Sequence, residues 1–145
     1  MEKMDKLREL VAYRIGADAA HIFNQSYVDL KEGLPGEPRR AEVDVTITNK
    51  GDMSVVIADG EDAIFVEFGA GVYSNAKPSP HPLGTETGMT IGSYGKGYGN
   101  RKTWGFYNEN GELELTHGTP ATMPMYTAMK NVADNIYAIA REVFE

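Results

Sequence analysis

The sequence predicts an α+β fold: a small antiparallel β-sheet packed with an N-terminal and a C-terminal α-helix, plus a long Gly-rich loop. Three observations predict it. Apolar residues recur at three- and four-residue steps at both ends of the chain. They alternate with polar residues in two hairpin-like stretches between, and a run from Gly69 to Thr103 has neither period. Hairpin-joined strands are antiparallel, and the apolar stripes of the helices need a surface to cover, which such a sheet supplies.

Met4, Leu7, Leu10, Val11, Ile15, Ala19, Ile22 and Phe23 fall on one face of the first helix. Gly16 in its middle costs about 1 kcal/mol relative to Ala, so it is expected to mark a kink or a close neighbour. Gly33-Leu34-Pro35-Gly36-Glu37-Pro38 ends regular structure. From Ala41 to Thr48, Val43, Val45 and Ile47 alternate with Asp44, Thr46 and Thr48, a strand with one wet face. A turn at Asn49-Lys50-Gly51-Asp52 returns the chain as a second strand from Met53 to Ala58. Asp59 to Asp62 fits either the cap of a short helical turn running into Phe65-Val66-Glu67-Phe68 or extended chain. Trp104–Tyr107 and Glu112–Thr116 read as a second hairpin around Asn108-Glu109-Asn110-Gly111, with Asn-Gly as the turn signal. Pro120 and Pro124 introduce a final helix with Thr122 as the expected N-cap. Its stripe is Met125, Met129, Val132, Ala133, Ile136, Tyr137, Ala140, Val143 and Phe144.

The 145 residues, 41% of them hydrophobic and none of them Cys, describe a single domain over 1–145 with a long loop or arm at 69–103. Folding at this size buries about two-thirds of the unfolded surface, so neither disulfides nor a metal is needed for stability. The absence of Cys excludes thiol catalysis and thiolate zinc sites. A net charge of −7 argues against nucleic acid as the main partner, because phosphate neutralisation needs clustered Lys and Arg. Met1–Leu10 carries six charged side chains and no apolar h-region, and no stretch reaches the roughly 20 apolar residues of a membrane span. The chain is therefore expected in the compartment where it is made, with no membrane partner.

Charge is segregated along the chain. Residues 41–70 hold one basic and seven acidic side chains, a net charge of −6. Residues 71–108 hold Lys77, Lys96, Arg101 and Lys102 against Glu86, a net +3. A basic arm on an acidic body can find the acidic face of a neighbouring copy, because complementary fields steer association and fix register. The plainer alternative is a solvated loop with scattered charges.

Gly92-Ser93-Tyr94-Gly95-Lys96-Gly97-Tyr98-Gly99 resembles a nucleotide loop only superficially. A Walker loop needs Gly five residues before the Gly-Lys pair, where Thr90 stands, and Ser or Thr after the Lys, where Gly97 stands. The arm reading fits better, with Tyr94 and Tyr98 as anchors that give large contact area with few rotors. For an enzyme, the best constellation is Glu67 with His81 and His117, a carboxylate and two imidazoles suited to a metal-assisted hydrolase. No spacing signature ties the three together, and no cofactor is expected. Trp104, the only Trp, suits a core or interface anchor.

At Phe65-Val66-Glu67-Phe68-Gly69-Ala70-Gly71 the chain resembles a family of tailed-phage structural proteins, the siphophage head–tail joining or tail-completion proteins of the neck. Their shared core reads aromatic-Val-Glu-Phe-Gly-Thr-Gly. Further matches follow in the family's order: the glycine-rich loop, Trp104 with Tyr107, and Thr116-His117-Gly118-Thr119-Pro120-Ala121 leading through Pro124-Met125 into the last helix. Together they span about residues 60–135, whereas 1–58 match only in layout. Ala70 stands where the family has Thr and His117 where it has Arg, so the contact of that Arg is expected to be missing or pH-dependent here.

The resemblance implies a non-enzymatic virion protein, assembled in the host cytoplasm, that helps close the tail and join it to the DNA-filled head. Its implied partners are the connector, the tail terminator and the tail tube, with copies of itself in a homo-oligomeric ring. A tail terminator or minor tail protein of the same structural class fits as well. The residues expected at its interfaces are Glu67, Phe68, Gly69, Gly71, Tyr94, Lys96, Tyr98, Arg101, Trp104, Tyr107 and His117. Gly69 and Gly71 would turn the chain sharply and launch the arm. Glu67 would either stabilise that turn or pair with a basic residue such as Arg101.

Overall fold

The first apolar stripe folds as a helix, α1, over Lys3–Asn24, about 33 Å long, and every later layer is built on it. The computed structural model describes residues 2–28, 38–73, 75, 80–84, 86–87 and 101–145. Ala12, Gly16, Ala19 and Phe23 are the buried positions of α1, one every three or four residues, while Met4 at the helix start stays exposed. Gly16 allows close packing: a Cβ there would lie 2.7 Å from Ile47 Cδ1. At its C-terminal end, the Asn24 carbonyl accepts a bond from the Arg40 guanidinium, which also stacks 4.9 Å over Tyr27.

Two-residue strands β1 (Tyr27–Val28) and β2 (Arg39–Arg40) pair antiparallel after α1, an element too short to leave a periodic signal. The first expected hairpin forms as β3 (Asp44–Lys50) and β4 (Met53–Asp59), with Lys50 opposite Met53. Its turn is therefore only Gly51-Asp52, with Gly51 at φ 60°. The ambiguous stretch that follows is helical, α2, over Ala63–Phe68. The second hairpin pairs β5 (Trp104–Tyr107) with β6 (Leu113–Thr116). The Asn108 side-chain carbonyl accepts the amides of Asn110 and Glu112 and closes its turn.

The architecture is α+β, with helices at both ends of the chain. Among the described residues its strands form three separate two-stranded antiparallel sheets rather than one. Helix α1 replaces the expected sheet as the organising surface, packing against β3 and β4 and against the last helices. Phe23, Val28 and Val66, with Ala19, Ala41 and Ala128, form the core, flanked by Ile15, Val43, Val45, Ala58 and Met125. No described helix is long and apolar enough to cross a membrane.

The expected final helix is divided into α3 (Pro124–Asp134) and α4 (Ile136–Phe144). Asn135 has left the helical region at φ −111°, ψ 16°, and its side chain donates back to the Asn131 carbonyl. The break rotates the second half of the stripe: Val132 and Ile139 are buried, whereas Ile136 and Tyr137 are exposed, Tyr137 by 82%. Met129, also expected in the core, faces outward.

Candidate functional site

A helix N-terminus presents backbone N–H groups that need acceptors. At α3 that acceptor comes from another element. Pro124 occupies the first turn without an N–H, so the next donors are Met125 and Tyr126, and both donate to Glu67 of α2, at 2.8 Å to Oε2 and 3.0 Å to Oε1. The carboxylate sits where the helix dipole is positive. Thr122 is not the N-cap. Its hydroxyl bonds Ser26 Oγ at 2.8 Å, its amide donates to the Val66 carbonyl, and the residue at the cap is Met123, in the left-handed region at φ 52°.

His81 completes the joint. The Leu83 amide donates to His81 Nδ1 at 3.0 Å, so that nitrogen carries no hydrogen and the imidazole is the neutral Nε2–H tautomer. Nε2–H then donates to Glu67 Oε1 at 2.9 Å. Both residues are buried, and the ring packs on Phe68 at 4.4 Å and edge-on to Tyr126 at 5.3 Å. Of the two roles open to Glu67, the pairing with Arg101 does not form; Arg101 is exposed. Neither is His117 part of this cluster: its ring stacks on Tyr73 at 4.0 Å and Nδ1 lies 3.2 Å from Thr103 Oγ1. The three-member hydrolase constellation is therefore not assembled, and among the described residues no three His, Asp or Glu converge to hold a metal.

Upstream, Asp62 holds the start of α2 through its side chain without capping it. The Arg39 guanidinium donates to both of its oxygens, at 2.6 and 2.8 Å, and the Glu42 amide donates at 2.9 Å. The bond from Arg39 holds its carboxyl below the ordinary value, against the opposing effect of burial, with the Glu42 amide adding to the shift.

Downstream, Gly69, Ala70 and Gly71 are buried, and Ala70 makes a two-way bridge with Thr119. Asn75 clasps the same crossing: its amide donates to the Gly71 and Thr119 carbonyls and its oxygen accepts the Ala121 amide. Gly69 and Gly71 do turn the chain, at φ 77° and 81°, and both lie against neighbours. A Cβ on Gly69 would lie 2.8 Å from Asn75 Nδ2, and one on Gly71 would lie 3.0 Å from Trp104 Nε1. Gly118 is the tightest, since a Cβ there would run into the Ala70 carbonyl. Asn75, Ser26 and the Arg39–Asp62 pair had no signal in the sequence, because each acts across the chain from outside a periodic segment.

The two longer hairpins each expose a row of apolar side chains on the outward face. On β3–β4 the inward positions Val45, Ile47, Val56 and Ala58 are half-buried, while Met53, Val55 and Ile57 are exposed on the other face, opposite Lys50, Thr48 and Thr46. On β5–β6, Trp104 and Phe106 face inward and Tyr107, Leu113 and Leu115 face out, with Tyr107 75% exposed. Leu113 and Leu115 close over the bare Gly105, at 3.0 and 3.4 Å from its missing Cβ. Of the expected interface residues, Tyr107 thus stands on an open face, Glu67, Gly69 and Gly71 are internal, and Phe68, Trp104 and His117 are half-buried. Tyr94, Lys96 and Tyr98, and with them the centre of the glycine arm, lie outside the described residues. No family model, curated protein or solved structure matches the chain.

Proposed function

We propose that the chain is a structural subunit of a tailed-phage head–tail junction, of the tail-completion or neck type, acting through protein–protein contacts in a homo-oligomeric ring. The observation that carries the reading is the pair of outward apolar rows on the hairpins, Met53/Val55/Ile57 and Tyr107/Leu113/Leu115. A contiguous exposed apolar face marks an interaction site, because water is the worse neighbour for it. The segments that carry the family resemblance support the reading from inside the subunit. Phe65–Gly71 and Thr116–Met125 meet at the Ala70–Thr119 bridge and at Glu67, forming a braced joint from which the hairpins extend. In this role the chain works in the virion, with neck and tail proteins as neighbours and no cofactor. Negative-stain microscopy of particles made without the protein tests it: separate heads and tails are the expected result, and normally joined, infectious virions would refute it.

A further inference from the structure

The two outward faces differ in charge, and the difference is located at matching ends. At the open end of β3–β4, Asp44 stands directly opposite Asp59 on the exposed face. Like charges across a pair destabilise a hairpin when nothing else is nearby to offset them. Glu42 and Glu61 join them around an open groove of about 750 Å³, in which the one cation among the described residues, Arg39, is paired with Asp62, so that four carboxylates remain unmatched by a basic side chain of the described lining. Further along the same face come Ile57, Val55 and Met53, with Lys50 opposite Met53 and Asp52 in the turn cancelling its charge. On β5–β6 the sign at the open end is the opposite one. Arg101 and Lys102 are exposed at the open end, Leu115, Leu113 and Tyr107 follow, and the turn carries Glu109 and Glu112.

We infer that the outer face of β5–β6 docks on the outer face of β3–β4 of a second copy, open end to open end, with Arg101 and Lys102 entering the acidic groove. This deepens the ring reading and rests on it for its setting. The alignment puts apolar side chain on apolar side chain and basic end on acidic end. Pairing β3–β4 with itself in that alignment would bring four aspartates together. A contact between unlike faces leaves one of each kind free at the ends of a dimer, so it propagates and closes into a ring where the rotation allows. Three large apolar side chains per face are few against the roughly 1,200–2,000 Å² of a stable two-body interface. Pairwise affinity is therefore weak, and ring closure, which adds a contact without immobilising another subunit, supplies the persistence.

The test uses the full chain and sedimentation velocity, with circular dichroism to establish that each variant is folded. Ile57→Lys spoils one face and Leu113→Lys the other. Each variant alone is expected to be monomeric where the wild type associates, and an equimolar mixture is expected to form dimers and stop there, since only one good pair of faces remains. Lys102→Glu is expected to weaken wild-type association about tenfold, and adding Asp59→Lys in the same chain to restore it. A wild type that stays monomeric at roughly millimolar concentration, a single variant that associates like the wild type, or a folded mixture that stays monomeric would each overturn the contact. Should particles lacking the protein show unjoined heads and tails while Ile57→Lys associates normally, this contact fails and the ring reading stands.

Discussion

Glu67 is a buried carboxyl group held by three donors, two of them backbone amides that have no other acceptor in α3. Removing it leaves those amides and the His81 Nε2–H unpaired in a closed site, and each orphan costs a substantial part of a desolvation penalty. Glu67→Ala is expected to lower unfolding free energy by about 3 kcal/mol and Glu67→Gln by about half as much, measured by urea denaturation. The smaller loss arises because the amide keeps one carbonyl acceptor while turning an N–H toward a donor. Asp62 behaves differently. Its carboxyl titrates below the ordinary 3.8 in the folded state, chiefly through the bond from Arg39. Its stabilisation is therefore present above that value and is lost as pH falls through the lowered native one. Asp62→Asn is expected to be less stable than the wild type at about pH 6 and to lose less stability on acidification toward about pH 3, read as urea midpoints across that range.

The elements are fixed by close approaches that single residues permit. Gly16 gives up helix propensity so that β3 can sit on α1, with the Ile47 δ-methyl occupying the space of a side chain. Ile47→Val removes that methyl group. Gly16→Ala is therefore expected to be more favourable in the Ile47→Val background than in the wild type by about 1 kcal/mol, a coupling that a double-mutant cycle measures. The Gly118 crossing has no such relief, because the obstacle is the Ala70 carbonyl of the backbone itself. The periodic stretches were legible because burial repeats at the period of the element: 3–4 residues along α1, two along β3. The α3–α4 division was not, since the apolar stripe runs on through Asn135 and only its side-chain bond to Asn131 marks the break. Thr122 had the right residue type for a cap, but Ser26 engages its hydroxyl and Glu67 takes the helix amides.

For the whole molecule, the segregated charge of the sequence becomes a geometry: an acidic groove at one hairpin and a basic foot at the other. Exposed charges are screened over about 8 Å at physiological ionic strength. Self-association is expected to weaken when sodium chloride is raised from about 0.05 to 0.5 M. Sedimentation velocity follows this directly, and salt-independent association would leave the charges without a part in it. The sequence by itself determined the α+β class and the two longer hairpins, because each follows from local periodicity or turn chemistry. It also singled out Glu67 and grouped it with His81 and His117, without deciding which of the two it meets. Only the tertiary structure decided that Glu67 serves α3 and His81, that His117 lies elsewhere, and that Met53, Val55, Ile57, Tyr107, Leu113 and Leu115 face outward. The reason is physical: alternation tells which residues share a face, but whether a face is covered depends on where distant segments of the chain come to rest.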